Sequence, residues 1–169
     1  DVQFADQDGT RKHVWQTSWG VSTRMIGGLI MTHSDDVGLV LPPNIAPYQV
    51  VIVPIMVGES DAVMATATDI REELVTHDVR VHVDDRDYLS PGAKFNEWEK
   101  KGVPVRLEIG PRDLAQNQVV VARRDTMEKS SVDISAVTGE ITSILTRIQN
   151  ELFLKALALR DERTQMVAD

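Results

Sequence analysis

Two places in this 169-residue sequence gather side chains able to hold anions or read bases. In the first, "GVSTRMIGGLIM", Arg24 stands at the start of an apolar helical repeat, two residues after Ser22. The first N–H groups of a helix lack intrahelical partners and carry partial positive charge, so such a terminus favours an anion. A cation placed there costs about 0.3 to 1 kcal/mol unless an anion faces it. The residues alone leave that anion open: a bound phosphate, or a carboxylate of the chain itself such as Asp35 or Asp36.

The second place is "KFNEWEKKGVPVRLEIGPRD". On a helix, Phe95 and Glu99 are four apart and share a face. Arg106 falls in the middle of an apolar strand, and Arg112 with Asp113 follows the Gly110-Pro111 turn. Loop bases of RNA are read by stacking on aromatic rings and by hydrogen bonds to their edges. A carboxylate accepts from the N1-H and N2-H of guanine, while an Arg donates to O6 and N7. Phe95 is open to a plainer role as a core residue. His13, His33, His77 and His82 form no metal-ligand or catalytic-triad spacing, and no metal site is expected.

Alternating elements must position these residues. "HVWQTSW" (13 to 19) reads as a short strand, followed by a helix over 22 to 33 with Met25, Ile26, Leu29 and Ile30 at helical spacing. Pro43 to Pro47 mark a domain boundary. "YQVVIVPI" (48 to 55) is the continuous apolar run of a strand covered on both faces. A helix over 61 to 77, a strand over 79 to 83 and a helix from Ser90 to Lys100 follow. Strands over 103 to 110 and 118 to 124 flank a helical turn at 111 to 116, and a long helix spans 133 to 163. Strands alternating with helices predict an α/β fold with a mixed sheet.

Composition bounds the function. With 42% apolar and 26% charged residues and no run of about 18 apolar residues, the chain reads as a soluble domain without a membrane span. It has no cysteine, hence neither disulfides nor a cysteine zinc site, which agrees with a cytoplasmic setting. A net charge of -8 argues against indiscriminate binding to nucleic acid. The charge is uneven, however. Glu59 to Asp87 holds nine acidic and three basic residues, whereas Lys94 to Lys129 holds eight basic and six acidic. A local basic face suits a small, defined RNA element; a mixed solvated surface is the plainer alternative.

The stretch "VWQTSWGVSTRMIGGLIMTHSDDVGLVLPPNIAPYQVVIVPI" resembles the third signature motif of class II aminoacyl-tRNA synthetases, in the version of the prolyl-tRNA synthetase family. "PGAKFNEWEKKGVPVRLEIGPRDL" (91 to 114) resembles the anticodon-binding domain of that family, and together the resemblance covers about 10 to 163. It implies three parts: 1 to 46 as the last strand and helix of the catalytic domain, 47 to 130 as the anticodon-binding domain, and 131 to 169 as a helix that completes it. That last helix would lead, as in the archaeal and eukaryotic-like branch, to a further C-terminal domain whose zinc site lies beyond Asp169. The polar opening "DVQFADQDG" is expected to be internal to a longer protein, because motifs one and two are not in this sequence.

By the same resemblance, Arg24 is the catalytic and ATP-binding residue, with Ser22 as a second ATP contact. Phe95, Glu99, Arg106, Arg112 and Asp113 form the anticodon face, with Lys129 as a further contact. The implied cofactors are ATP and Mg2+, and the implied partners are proline tRNA, L-proline and, in the full enzyme, a second subunit. The implied activity is ligation of proline to its tRNA, with this piece inactive alone. Three departures from the family pattern stand out: Ala93 for Trp, which would loosen packing behind the anticodon helix, Asn44 for Arg, and Ser34 for Gly. Two alternatives remain: a non-catalytic RNA-binding or regulatory module on the same fold, and a related ligase for threonine, glycine or histidine.

Overall fold

A computed structural model describes residues 2–55 and 61–165. Residues 1, 56–60 and 166–169 of the three expected parts lie outside the described residues. The elements in chain order are β1 (Gln3–Ala5), β2 (Arg11–His13), α1 (Arg24–His33), β3 (Val50–Pro54), α2 (Asp61–Thr76), β4 (Val81–Val83), α3 (Pro91–Lys101), β5 (Val105–Ile109), α4 (Pro111–Ala115), β6 (Gln118–Arg123), β7 (Lys129–Asp133) and α5 (Val137–Arg163). β1 and β2 form an antiparallel hairpin, and the main sheet runs β4-β3-β5-β6-β7. Its β3 pairs in parallel with β4 and β5, and β6 pairs antiparallel with both β5 and β7. The mixed α/β sheet predicted above is the observed fold.

β3 is apolar throughout because both its faces are covered. Val50 and Ile52 join the larger core with Leu107, Ile109, Ile70, Leu74, Ile141 and Ile148 from the sheet, α2 and α5. Val51 and Val53 face the other way, onto Trp98, Val103 and Phe95 around α3. α5 therefore packs on the same core as the sheet and is integral to the domain.

The structure corrects the sequence reading in four places. The strand expected over 13 to 19 is absent: only His13 pairs, through the β1–β2 hairpin, and residues 14–22 carry no regular structure. Trp15 and Trp19 are fully exposed there, because among the described residues no strand offers them a ladder. β1 and β7 were not expected, being short or polar edge strands without apolar alternation. The long helix begins at Val137, after β7 and a 3-10 turn at Ile134–Ala136. Finally, Ala93 is exposed and does not pack behind α3; its N–H donates to the Ser90 side chain that caps the helix.

α1 forms as expected, but Met25, Ile26 and Met31 remain exposed. Its link to the main sheet is tied down. Leu39 N–H donates to Lys100 O (3.0 Å), Leu41 N–H to Gly102 O (3.3 Å), and the Arg80 side chain reaches Pro43 O (2.7 Å) and Ala46 O (3.0 Å). No helix among the described residues is long and apolar enough to cross a membrane.

Candidate nucleic-acid interface

β5 places alternate side chains on opposite faces of the sheet. Val105, Leu107 and Ile109 enter the larger core, so Arg106 and Glu108 must point to the other face, beside α3. α3 is well specified there: Ser90 caps it, Pro91 opens it, and Gly102 ends it in the left-handed conformation at φ 72°. Phe95 and Glu99, one turn apart, meet Arg106. The Arg106 Nη1 donates to Glu99 Oε1 (2.7 Å), and its Nε and Nη2 donate to Glu108 Oε1 (3.1 and 3.0 Å). Its guanidinium carbon lies 4.3 Å from the Phe95 ring centroid.

The unexpected β7 supplies the fifth member. The β5–β6–β7 register aligns Arg106, Ala122 and Lys129 in one row across the sheet. Lys129 Nζ donates to Glu108 Oε1 (2.7 Å) and Oε2 (3.1 Å) and sits 5.3 Å from the Phe95 centroid. Glu108 joins the two cations of the cluster and was missed by sequence reasoning. Its signal was present: in "VRLEI" two charged residues alternate with apolar ones in a buried strand, which puts both on one face.

Two cations and two carboxylates share this site. The side chains of Arg106 and Glu108 are only 8% and 9% exposed, whereas Glu99 and Lys129 are 21% and 49% exposed. The buried pair lies at the floor of the site and the more exposed pair at its rim. The site offers an aromatic ring, a partly open carboxylate and a half-exposed ammonium, the groups by which a splayed base and its phosphate are held.

Arg112 and Asp113 are not part of this group. Asp113 Oδ2 accepts from Gly110 N–H (2.8 Å) and caps α4, while Arg112 lies exposed and, among the described residues, makes no ion pair.

A second cluster fixes α3 against the loop after β4. The fully buried Asp84 accepts from Trp98 Nε1 (2.7 Å) and from Arg86 Nε and Nη2 (2.8 and 2.7 Å), while the buried Lys94 donates to the Asp84 carbonyl (2.9 Å). Burial alone would raise the Asp84 pKa, but the bonds from Arg86 and Trp98 and the nearby Lys94 charge outweigh it and hold the carboxyl well below its usual range. Trp98 also lies 5.1 Å from His82, which in turn stacks 5.1 Å from Tyr48. Burial pushes the His82 pKa below its ordinary value.

At the other end, Arg24 opens α1 with no acidic residue in the first turn, and Thr23 provides no side-chain cap. Ser22 lies in the turn before it, its carbonyl accepting from Met25 N–H (3.1 Å). Asp35, one of the two carboxylates open as a partner for Arg24, is instead paired with Arg124 (2.6 Å). Among the described residues Arg24 is exposed and makes no ion pair. No group of three or more His, Asp or Glu among the described residues could hold a metal ion.

The sequence matches the family model described as the anticodon binding domain over residues 49–144. The chain belongs to the family of anticodon-binding domains. Within that family it is of the prolyl-tRNA synthetase kind. It is 52% identical over 168 residues to the chloroplastic/mitochondrial proline-tRNA ligase of Arabidopsis thaliana, covering 95% of this chain and 31% of the relative. It is 50% identical over 167 residues to the proline-tRNA ligase of Alkaliphilus oremlandii, covering 99% and 34%. Among solved structures it resembles the crystal structure of prolyl-tRNA synthetase from Cryptosporidium parvum complexed with L-proline and AMP, with TM-score 0.87, 42% identity, and coverage of 95% of this chain and 35% of that one. The chain thus spans about a third of the length of these relatives.

Proposed function

We propose that the protein is a prolyl-tRNA synthetase, that residues 47–130 and the helix after them read the anticodon of proline tRNA, and that residues 1–46 complete an ATP site. The observation that carries this reading is the Phe95–Glu99–Arg106–Lys129 cluster, set on a domain half identical in sequence to proline-tRNA ligases. Phe95 is the stacking platform, Glu99 and Arg106 meet guanine edges, and Lys129 takes a base or phosphate. Arg112 approaches the loop from α4, whose start Asp113 caps.

In the full reaction the proline carboxylate attacks the α-phosphorus of ATP, pyrophosphate leaves, and a terminal ribose hydroxyl of the tRNA then displaces AMP from the adenylate. Arg24, with Ser22 beside it, supplies charge to the phosphates at the N-terminus of α1, where preorganised donors stabilise developing charge. Magnesium would neutralise the phosphates. This chain's part at the phosphates is taken by Arg24 and Ser22, and among the described residues no group of three or more His, Asp or Glu gathers to hold a metal ion. The exposed Met25 and Ile26 are then covered by the rest of the catalytic domain. By the family resemblance, the full-length enzyme is proposed to be a homodimer working in the cytoplasm.

Exchange of labelled pyrophosphate into ATP by the full-length protein tests the catalytic half. It should depend on proline and not on threonine, glycine or histidine, and Arg24→Ala should slow it roughly 100-fold or more. Exchange driven by another amino acid, or an Arg24→Ala enzyme of undiminished rate, would remove the assignment.

A further inference from the structure

Arg124 belongs to neither half of the site, yet its side chain is 2% exposed and every nitrogen of its guanidinium is engaged. Nε donates to the Glu99 carbonyl (2.9 Å) in the last turn of α3. Nη1 and Nη2 donate to the two oxygens of Asp35 (2.8 and 2.6 Å), and these bonds hold the Asp35 carboxyl well below its usual range. The Arg124 N–H is itself fixed to Pro104 O (3.0 Å) at the entry to β5.

Asp35 lies two residues beyond the end of α1, whose last turn is closed by the Ser34 N–H on Ile30 O (3.0 Å). Just after it, the chain presses on the end of α3 so closely that neither of two glycines could carry a side chain. A Cβ on Gly38 would meet the Lys100 Cα at 2.5 Å, and one on Gly102 would meet the Leu39 backbone at 2.6 Å. The bidentate Arg–carboxylate fork is directional as well as strong, and close packing resists gradual deformation. A rigid path therefore runs from the helix that starts at Arg24, through Asp35 and Arg124, to the turn that holds Glu99.

We propose that Arg124 is a positioning residue which, with Asp35, couples occupancy of the anticodon face to the geometry of the ATP-site helix. The proposal rests on the synthetase reading above. Loop engagement at Phe95 and Glu99 biases the last turn of α3, and the Arg124 fork carries that bias to the segment following α1.

The test uses the full-length protein with Asp35→Asn, which removes the charge and keeps the shape, and Arg124→Lys, which keeps the charge and loses the fork. Both should leave tRNA-free, proline-dependent exchange and the KM for proline tRNA within about twofold. Both should lower kcat for charging proline tRNA about tenfold, without changing the charging of a tRNA whose last two anticodon guanines are cytosines. Unchanged kcat, a loss confined to KM, or an equal loss on both tRNAs would overturn the proposal and leave the synthetase reading standing. If the unaltered protein fails to exchange with proline or to prefer the guanine anticodon, the reading itself falls and takes the proposal with it.

Discussion

Arg106→Ala is expected to abolish the preference for guanine in the anticodon and to lower stability by about 3 kcal/mol, since removing one partner of a buried ion pair strands the others. Arg106 is almost fully buried and bridges Glu99 and Glu108, so its loss leaves Glu108 buried with only the half-exposed Lys129 as counter-charge. For a chain of this size the melting temperature should fall by roughly 6 to 12 °C. An Arg at a guanine edge contributes about 1 to 3 kcal/mol of discrimination, so the preference for a guanine over a cytosine loop should drop by roughly 10- to 100-fold. The two effects separate in Arg106→Met combined with Glu108→Leu, because apolar residues of similar volume often replace buried ion pairs without loss of stability. That double variant should melt near the unaltered protein and still fail to discriminate. If it retains discrimination, Arg106 only holds the fold.

Asp84→Ala is expected to cost about 3 kcal/mol or more in urea unfolding, a midpoint shift of roughly 1 to 2 M. It leaves the buried Lys94 and the Trp98 indole N–H facing no carboxylate and frees the loop after β4 from α3. Because α3 carries Phe95 and Glu99, RNA binding should weaken with it. The pH dependence has a definite sign. The folded Asp84 pKa lies below the unfolded one, so its contribution is complete above the ordinary carboxylate range near pH 4 and is lost as pH falls below that range. Asp84→Asn should thus be destabilised at neutral pH and show a shallower loss of stability on acidification. Parallel acid profiles for the two proteins would contradict this assignment.

Much of the architecture was legible because burial writes itself into local pattern. The unbroken apolar run of β3 announced a strand covered on both sides, and Ser90-Pro91 marked the start of α3, whose expected end at Lys100 falls one residue short of the observed Lys101. What failed was whatever depends on a partner. Trp15 and Trp19 read as strand, but the hairpin ends with the Val14 N–H on Val2 O (3.2 Å), and beyond it no neighbouring strand is there among the described residues. β7 was invisible because "KSSVD" is an edge strand with nothing apolar to alternate except Val132, although it is the element that brings Lys129 to Arg106. Phe95, Glu99 and Arg106 could be grouped from their spacing and a resemblance. Asp113 could have been recognised as a cap from its place three residues after Gly110. The Arg124–Asp35 pair, 89 residues apart, had no local signal at all.

The account rests most directly on the anticodon face, and one titration decides it. The chain is titrated with a proline-tRNA anticodon stem-loop and with the same hairpin carrying cytosines in place of the last two anticodon guanines. Tighter binding of the guanine loop by at least about tenfold, lost in Arg106→Ala and in Glu99→Ala, is the predicted result. Equal affinity for both hairpins would contradict it, leaving the fold in place but stripping Phe95, Glu99 and Arg106 of their reading role.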